Sequence, residues 1–129
     1  MAINLNGLGQ IALEVRDVDK SERFYAEVLG LRRLFRFGSL SFFDMAGVRL
    51  LLEQSRSDEP VKPAGVLYFR VADIVVARAA LESRGLAFAD RIHRIAEMED
   101  HDLWMTFFHD PDEHILALMM EAPKGWQPA

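Results

Sequence analysis

The chain of 129 residues has no cysteine, which excludes disulfide bridges and thiolate metal ligands. No apolar run comes near the roughly 18 residues that a membrane-spanning helix needs. The opening MAINLNGLGQ lacks a basic patch followed by an apolar stretch, so no secretory signal is expected in it. Positive charge is also in short supply: 15 Lys and Arg stand against 20 Asp and Glu, a formal net charge of −5. Nucleic acid, whose phosphates call for a basic surface, is therefore not an expected partner, and neither is a membrane. The local arginine cluster LRRLFRF reads as a solvated strand edge. These absences point to a cytoplasmic protein, of a length that suits one domain with a proper core.

Patterned hydrophobicity is what the sequence has in quantity. QIALEV, from Gln10 to Val15, alternates and predicts a strand. In RDVDKSERFYAEVLGL the spacing turns helical, with Val18, Phe24, Tyr25, Val28 and Leu29 on one face. Asp19 and Glu22 predict a capping box at the start of this helix, and Gly30 its end. Strands are expected over 33–37, 40–45 and 48–54, with Gly38-Ser39 and Ala46-Gly47 as turns between them. SRSDEPVKPAG is linker-like. The pattern then begins again: a strand in VLYFRVAD, Asp73 capping a helix through about Arg84, and Gly85 stopping it. Strands over 87–94, 103–109 and 114–121 complete the set.

This is a repeat. Val15-Arg16-Asp17 matches Val71-Ala72-Asp73, and Leu29-Gly30-Leu31 matches Arg84-Gly85-Leu86, with a single-residue gap between the two registers. One unit alone leaves a sheet face and open edges uncovered, so two in tandem make one domain over 7–121. The predicted fold is α+β: two βαβββ modules, residues 7–54 and 65–121, forming a curved, cup-like mixed sheet with the helices outside. Residues 122–129 are a tail, with Trp126 docked on a surface.

QIALEVRDVDKSERFYAEVLGL resembles the opening module of the vicinal oxygen chelate superfamily, which includes glyoxalase I, bleomycin- and fosfomycin-resistance proteins and extradiol dioxygenases. FFHDPDEHILAL resembles its closing hairpin, where F-x-D-P-D-G-N precedes an alternating strand. The resemblance implies a divalent metal held by four side chains, a His or Gln on the first strand and a Glu on the last strand of each module. Gln10 fits its place; Val66 and Ala117 are inert in theirs; Leu51 holds the remaining place, with Glu53 two residues on. The ligand places thus do not support the metal, and no metal ligand is assigned. His109 and His114 flank Asp110-Pro111-Asp112-Glu113 and are expected to shape and solvate a turn, with Glu113 where the family carries Gly.

Strand alternation sends Gln10, Ala12, Glu14, Arg49, Leu51, Glu53, Val66, Tyr68, Arg70, Met119 and Glu121 into the cup. Convergent polar groups on an apolar lining are the usual form of a small-molecule site. The charges are expected to pair at its rim, Arg49 or Arg70 with Glu14, Glu53 or Glu121. The candidate ligand-binding residues are Gln10, Arg49, Tyr68 and Arg70, with His93 and His101 from the HRIAEMEDH stretch and Trp104 as a stacking wall. Glu53 or Glu121 is the candidate catalytic base. Three functions fit the resemblance. The missing ligands and acidic balance favour metal-free binding of a small molecule. A metal-dependent lyase or isomerase of the glyoxalase/epimerase type, abstracting a proton alpha to a carbonyl, is the alternative. An extradiol dioxygenase fits least, because no His occupies a ligand place. A homodimer is expected, since cups of this fold complete themselves against a second copy and open strand edges seek partners.

Overall fold

The computed structural model describes residues 3–63 and 65–129. The chain divides into two compact units, residues 1–62 and 63–129. The first holds β1 (Gln10–Val15), α1 (Val18–Arg23) continuing into a π-helical turn (Phe24–Val28), β2 (Arg32–Phe37), β3 (Leu40–Met45) and β4 (Val48–Gln54). The second holds β5 (Val66–Arg70), α2 (Ile74–Ser83), β6 (His93–Glu97), β7 (Asp102–His109) and β8 (Ile115–Ala122). Strand orders are β1-β4-β3-β2 and β5-β8-β7-β6, with β1 parallel to β4, β5 parallel to β8, and the remaining pairs antiparallel. The fold is α+β, two βαβββ units in one chain.

Each sheet buries the face that its helix covers. In unit one α1 packs on β3 and β4, and the core is Leu13, Val15, Val18, Tyr25, Phe43, Leu50 and Leu52. In unit two α2 packs on β8, over Ile74, Leu81, Leu116, Leu118 and Met120. Burying each such side chain contributes about 1.5–3 kcal/mol. Alternation leaves Gln10, Ala12, Glu14, Arg49 and Glu53 exposed on the other face, as the spacing predicts.

Both helices begin in the same way. Asp17 and Asp73, in extended conformation, accept from Asp19 and Lys20 N–H and from Val75 and Val76 N–H. The cap of α1 is therefore Asp17 and not Asp19; Asp19 lies inside the first turn and pairs with Arg36 at 2.9 Å. Another free amide at each helix start is met from the last strand of the unit: Val18 N–H by Gln54 Oε1 at 3.0 Å, Ile74 N–H by the Met120 thioether at 3.5 Å. The single-residue gap of the repeat falls at the π-helical turn, where Leu29 N–H reaches Phe24 C=O at 3.1 Å. Gly30 and Gly85 both take the left-handed φ, +74° and +90°, that ends a helix.

Glu22 latches α1 to the sheet. Its carboxylate accepts from Ser41 Oγ at 2.6 Å, Arg33 at 3.0 Å and Arg36 at 3.3 Å. Burial disfavours its charge, but the hydrogen bonds from Ser41, Arg33 and Arg36 outweigh that and hold its pKa below the ordinary 4.5.

Two expectations are corrected in unit two. The strand expected over 87–94 is instead a lone bridge, Phe88 to Phe108, followed by β6 from His93. Asp90 Oδ1 accepts the Phe107 N–H at 2.9 Å, the donor that a strand carbonyl would otherwise use, and the ladder breaks there. The β7–β8 turn forms as expected, with Asp110 Oδ1 accepting from Asp112 and His114 N–H, each at 2.9 Å, and Glu113 at φ +66°. His109 is exposed, but His114 is only 2% exposed and so does not solvate the turn.

Candidate functional site

Strand register arranges the open face of unit one in three rows. Gln10, Arg49, Asp44 and Arg32 form a polar row across β1, β4, β3 and β2. One step along, Ala12, Leu51, Phe42 and Phe35 form an apolar row, with the Phe35 and Phe42 rings stacked at 4.3 Å. Glu14, Glu53, Leu40 and Phe37 form the third. At its carboxylate end opens a cleft of about 720 Å³, lined also by Ser55, Arg56, Glu59 and Lys62.

In the polar row Arg49 donates from Nε to Gln10 Oε1 at 2.8 Å, and its guanidinium lies 5.4 Å from the Phe42 ring centroid. The rim ion pairs expected of Arg49 and Arg70 do not form with Glu53 or Glu121: these four make no ion pair among the described residues. The register gives Arg49 a neutral amide, Gln10, on one side and Asp44 on the other, and Asp44 is engaged by Arg32.

The open face of unit two carries Tyr68 and Arg70 from β5, Met119 and Glu121 from β8, and Phe107 from β7. Tyr68 meets Phe107 edge-on at 6.2 Å, and His93 lies tilted against the same ring at 6.2 Å. His93 Nδ1 is 2.8 Å from the Arg91 carbonyl, which can only accept, so Nδ1 carries the proton and Nε2 keeps its lone pair in the neutral ring. Asp90 Oδ2 lies 3.6 Å from Nδ1, while Oδ1 is held by Thr106 Oγ1 and Phe107 N–H, both at 2.9 Å. Arg78 in turn donates to Thr106 Oγ1 at 2.7 Å and to Asp90 C=O at 2.6 Å. Sequence reasoning missed Asp90 altogether, for no periodicity marks it. Phe107 is on the open face by its parity with Ala117.

Two candidates stand apart from these faces. His101 sits at the β6–β7 turn, its Nδ1 2.7 Å from Asp100 Oδ1, a contact that lowers the Asp100 pKa. Trp104 shares the buried side of its sheet with Met120 and lies edge-on to Trp126 at 5.3 Å, so it is not a stacking wall on the open face.

The family model for the Glyoxalase/Bleomycin resistance protein/Dioxygenase superfamily matches residues 7–118. The chain belongs to that superfamily. A curated relative, Glyoxylase I 4 of Arabidopsis thaliana, is 27% identical over 90% of this chain and 71% of its own length. The fold is that of a lactoylglutathione lyase from Agrobacterium tumefaciens, 23% identical, with TM-score 0.73 over 91% of this chain and 95% of that one. A superfamily member from Nocardioides, 18% identical, superposes with TM-score 0.76 over 99% of this chain and 91% of its own.

The residues do not fit the divalent metal that the superfamily implies. Val66 and Ala117 offer no donor, and Leu51 none either. Gln10 Oε1 already faces a cation, the Arg49 guanidinium. A metal about 2–2.5 Å from that oxygen would lie roughly 5 Å from the guanidinium charge. The repulsion at that separation is about 7 kcal/mol at an effective dielectric of 20, before further screening by solvent.

Proposed function

We propose that the protein binds a small, cation-bearing organic molecule at the open face of its N-terminal unit, without a resident metal. One observation carries this reading: Glu14 and Glu53 stand side by side in register at the mouth of the 720 Å³ cleft. Two carboxylates in register on neighbouring strands make an acidic patch that complements a cationic group. The cleft has the size usual for small-molecule sites. The superfamily's name includes bleomycin resistance, which makes a cationic drug a natural first probe. The test is calorimetric titration of chelator-treated protein with metal-free bleomycin, comparing the parent with Glu53→Gln. Saturable binding that weakens about tenfold in the variant is expected; binding that ignores Glu53, or none at all, overturns the reading. We also propose a homodimer, supported by Phe35 and Phe37 lying exposed on the edge strand β2. Sedimentation at 14.7 kDa and micromolar concentration would refute it.

A lyase or isomerase is the second reading, and the His93 arrangement favours it. With Nδ1–H committed to Arg91 C=O and backed by Asp90, Nε2 is a proton acceptor on the open face of unit two. In this reading His93, rather than Glu53 or Glu121, takes a proton alpha to a carbonyl. Deuterium exchange into an α-hydroxy carbonyl substrate, lost in His93→Gln and kept in Glu121→Gln, is the expected result. Exchange that survives His93→Gln refutes the assignment.

A further inference from the structure

We infer that Arg49, braced by Gln10, is a receptor for an oxyanion, so that the ligand of this face is bipolar, with an anionic end beyond its cationic one. The inference rests on the proposed function for the cationic end only. Arg49 is held at two points: Nε by Gln10 Oε1 at 2.8 Å, and its face by Phe42 at 5.4 Å, with Phe35 stacked behind. Both contacts leave the two terminal nitrogens unengaged among the described residues. Their paired N–H groups form the edge that matches a carboxylate or phosphoryl group bidentately. A guanidinium already fixed in place loses less freedom on binding than a loose one.

Charge in the row supports the same assignment. Its one acid, Asp44, is engaged by Arg32 at 3.7 Å and by Gly47 N–H at 3.1 Å, so two cations face one anion. The guanidinium thus supplies positive charge next to Gln10, where the superfamily pattern would put a metal. The strand itself measures the ligand. Arg49 and Glu53 are four residues apart on β4, about 13 Å at 3.3 Å per residue, with the apolar row of Leu51 and Phe42 between them. Allowing for side-chain reach, an organic molecule with an oxyanion and an ammonium about 10 Å apart, joined by an apolar body, fits.

The test uses four probes on the full chain, followed by NMR shift titration: 8-aminooctanoate, its phosphonate analogue, octylamine and octanoate. The parent is expected to bind one of the bipolar probes at least tenfold more tightly than octylamine. In Arg49→Gln that probe should fall to the octylamine level while octylamine itself is unchanged. Glu53→Gln should weaken the bipolar probes and octylamine alike. Preference for the carboxylate or for the phosphonate then names the oxyanion. Parent protein that binds octylamine as tightly as both bipolar probes overturns the anion receptor and leaves the proposed function standing. If octylamine does not bind, the proposed function fails, and octanoate decides the receptor separately. Octanoate binding lost in Arg49→Gln supports it; its absence, or its survival in the variant, refutes it.

Discussion

Replacing Glu22 with Gln tests the latch between α1 and the sheet. The carboxylate is 16% exposed and accepts from Ser41, Arg33 and Arg36. Gln keeps one acceptor oxygen and turns the other into an amide donor, which must face a hydroxyl or a guanidinium. Hydrogen bonds to a charged group are worth about 1.5–3 kcal/mol. Arg33 is half exposed and screened, and Arg36 keeps its contact with Asp19, so both count for less than Ser41. The expected loss is about 2–3 kcal/mol at pH 7, or roughly 10 °C in Tm for a chain of this size. The pH dependence carries a sign. Because the folded pKa lies below 4.5, the stabilisation is fully present above 4.5 and is lost as pH falls through the folded value. Urea unfolding followed by circular dichroism should show a wide gap between parent and variant at pH 7 that narrows as the pH is taken below 4.5. A gap under about 0.5 kcal/mol at pH 7, or one that stays constant into acid, refutes the reasoning.

Glu113→Gly should be neutral or stabilising by less than about 1 kcal/mol, because Gly relieves the φ of +66° while adding freedom to the unfolded chain. A thermal melt showing a loss above about 1 kcal/mol would contradict that. His109→Gln should change stability by less than about 0.5 kcal/mol, since the side chain is exposed. His114→Gln, at a position only 2% exposed, should cost about 1–3 kcal/mol, and equal effects of the two would be the wrong result.

The bounds of β1, β3 and β4 were legible because each is closed by a turn or a polar stretch. β6 was not, because its start depends on where Asp90 sends its carboxylate, a contact made across 17 residues to Phe107. The run LWMTFF is apolar on both faces, so alternation alone does not say which side Trp104 occupies. RDVD offers two acids as caps, and local spacing does not choose between them; the extended backbone at Asp17 does. For the candidate site, parity was enough to put Gln10, Arg49 and Glu53 on one face. Which of them touch follows from the register of β1 against β4, a long-range quantity that no local window contains.

The wide turn of α1 has a consequence for how the two halves compare. Residues advance about 100° around an α-helix, so one extra residue would swing everything after it by more than a quarter turn. Val18 and Tyr25 are buried in unit one as Ile74 and Leu81 are in unit two, so the helices keep the same phase up to that point. Leu31 N–H then closes the helix on Tyr25 C=O across six residues, where Leu86 N–H closes its counterpart on Leu81 C=O across five. The surplus residue is taken up as girth within a single coil, and β2 leaves its helix at the phase it would have had without it.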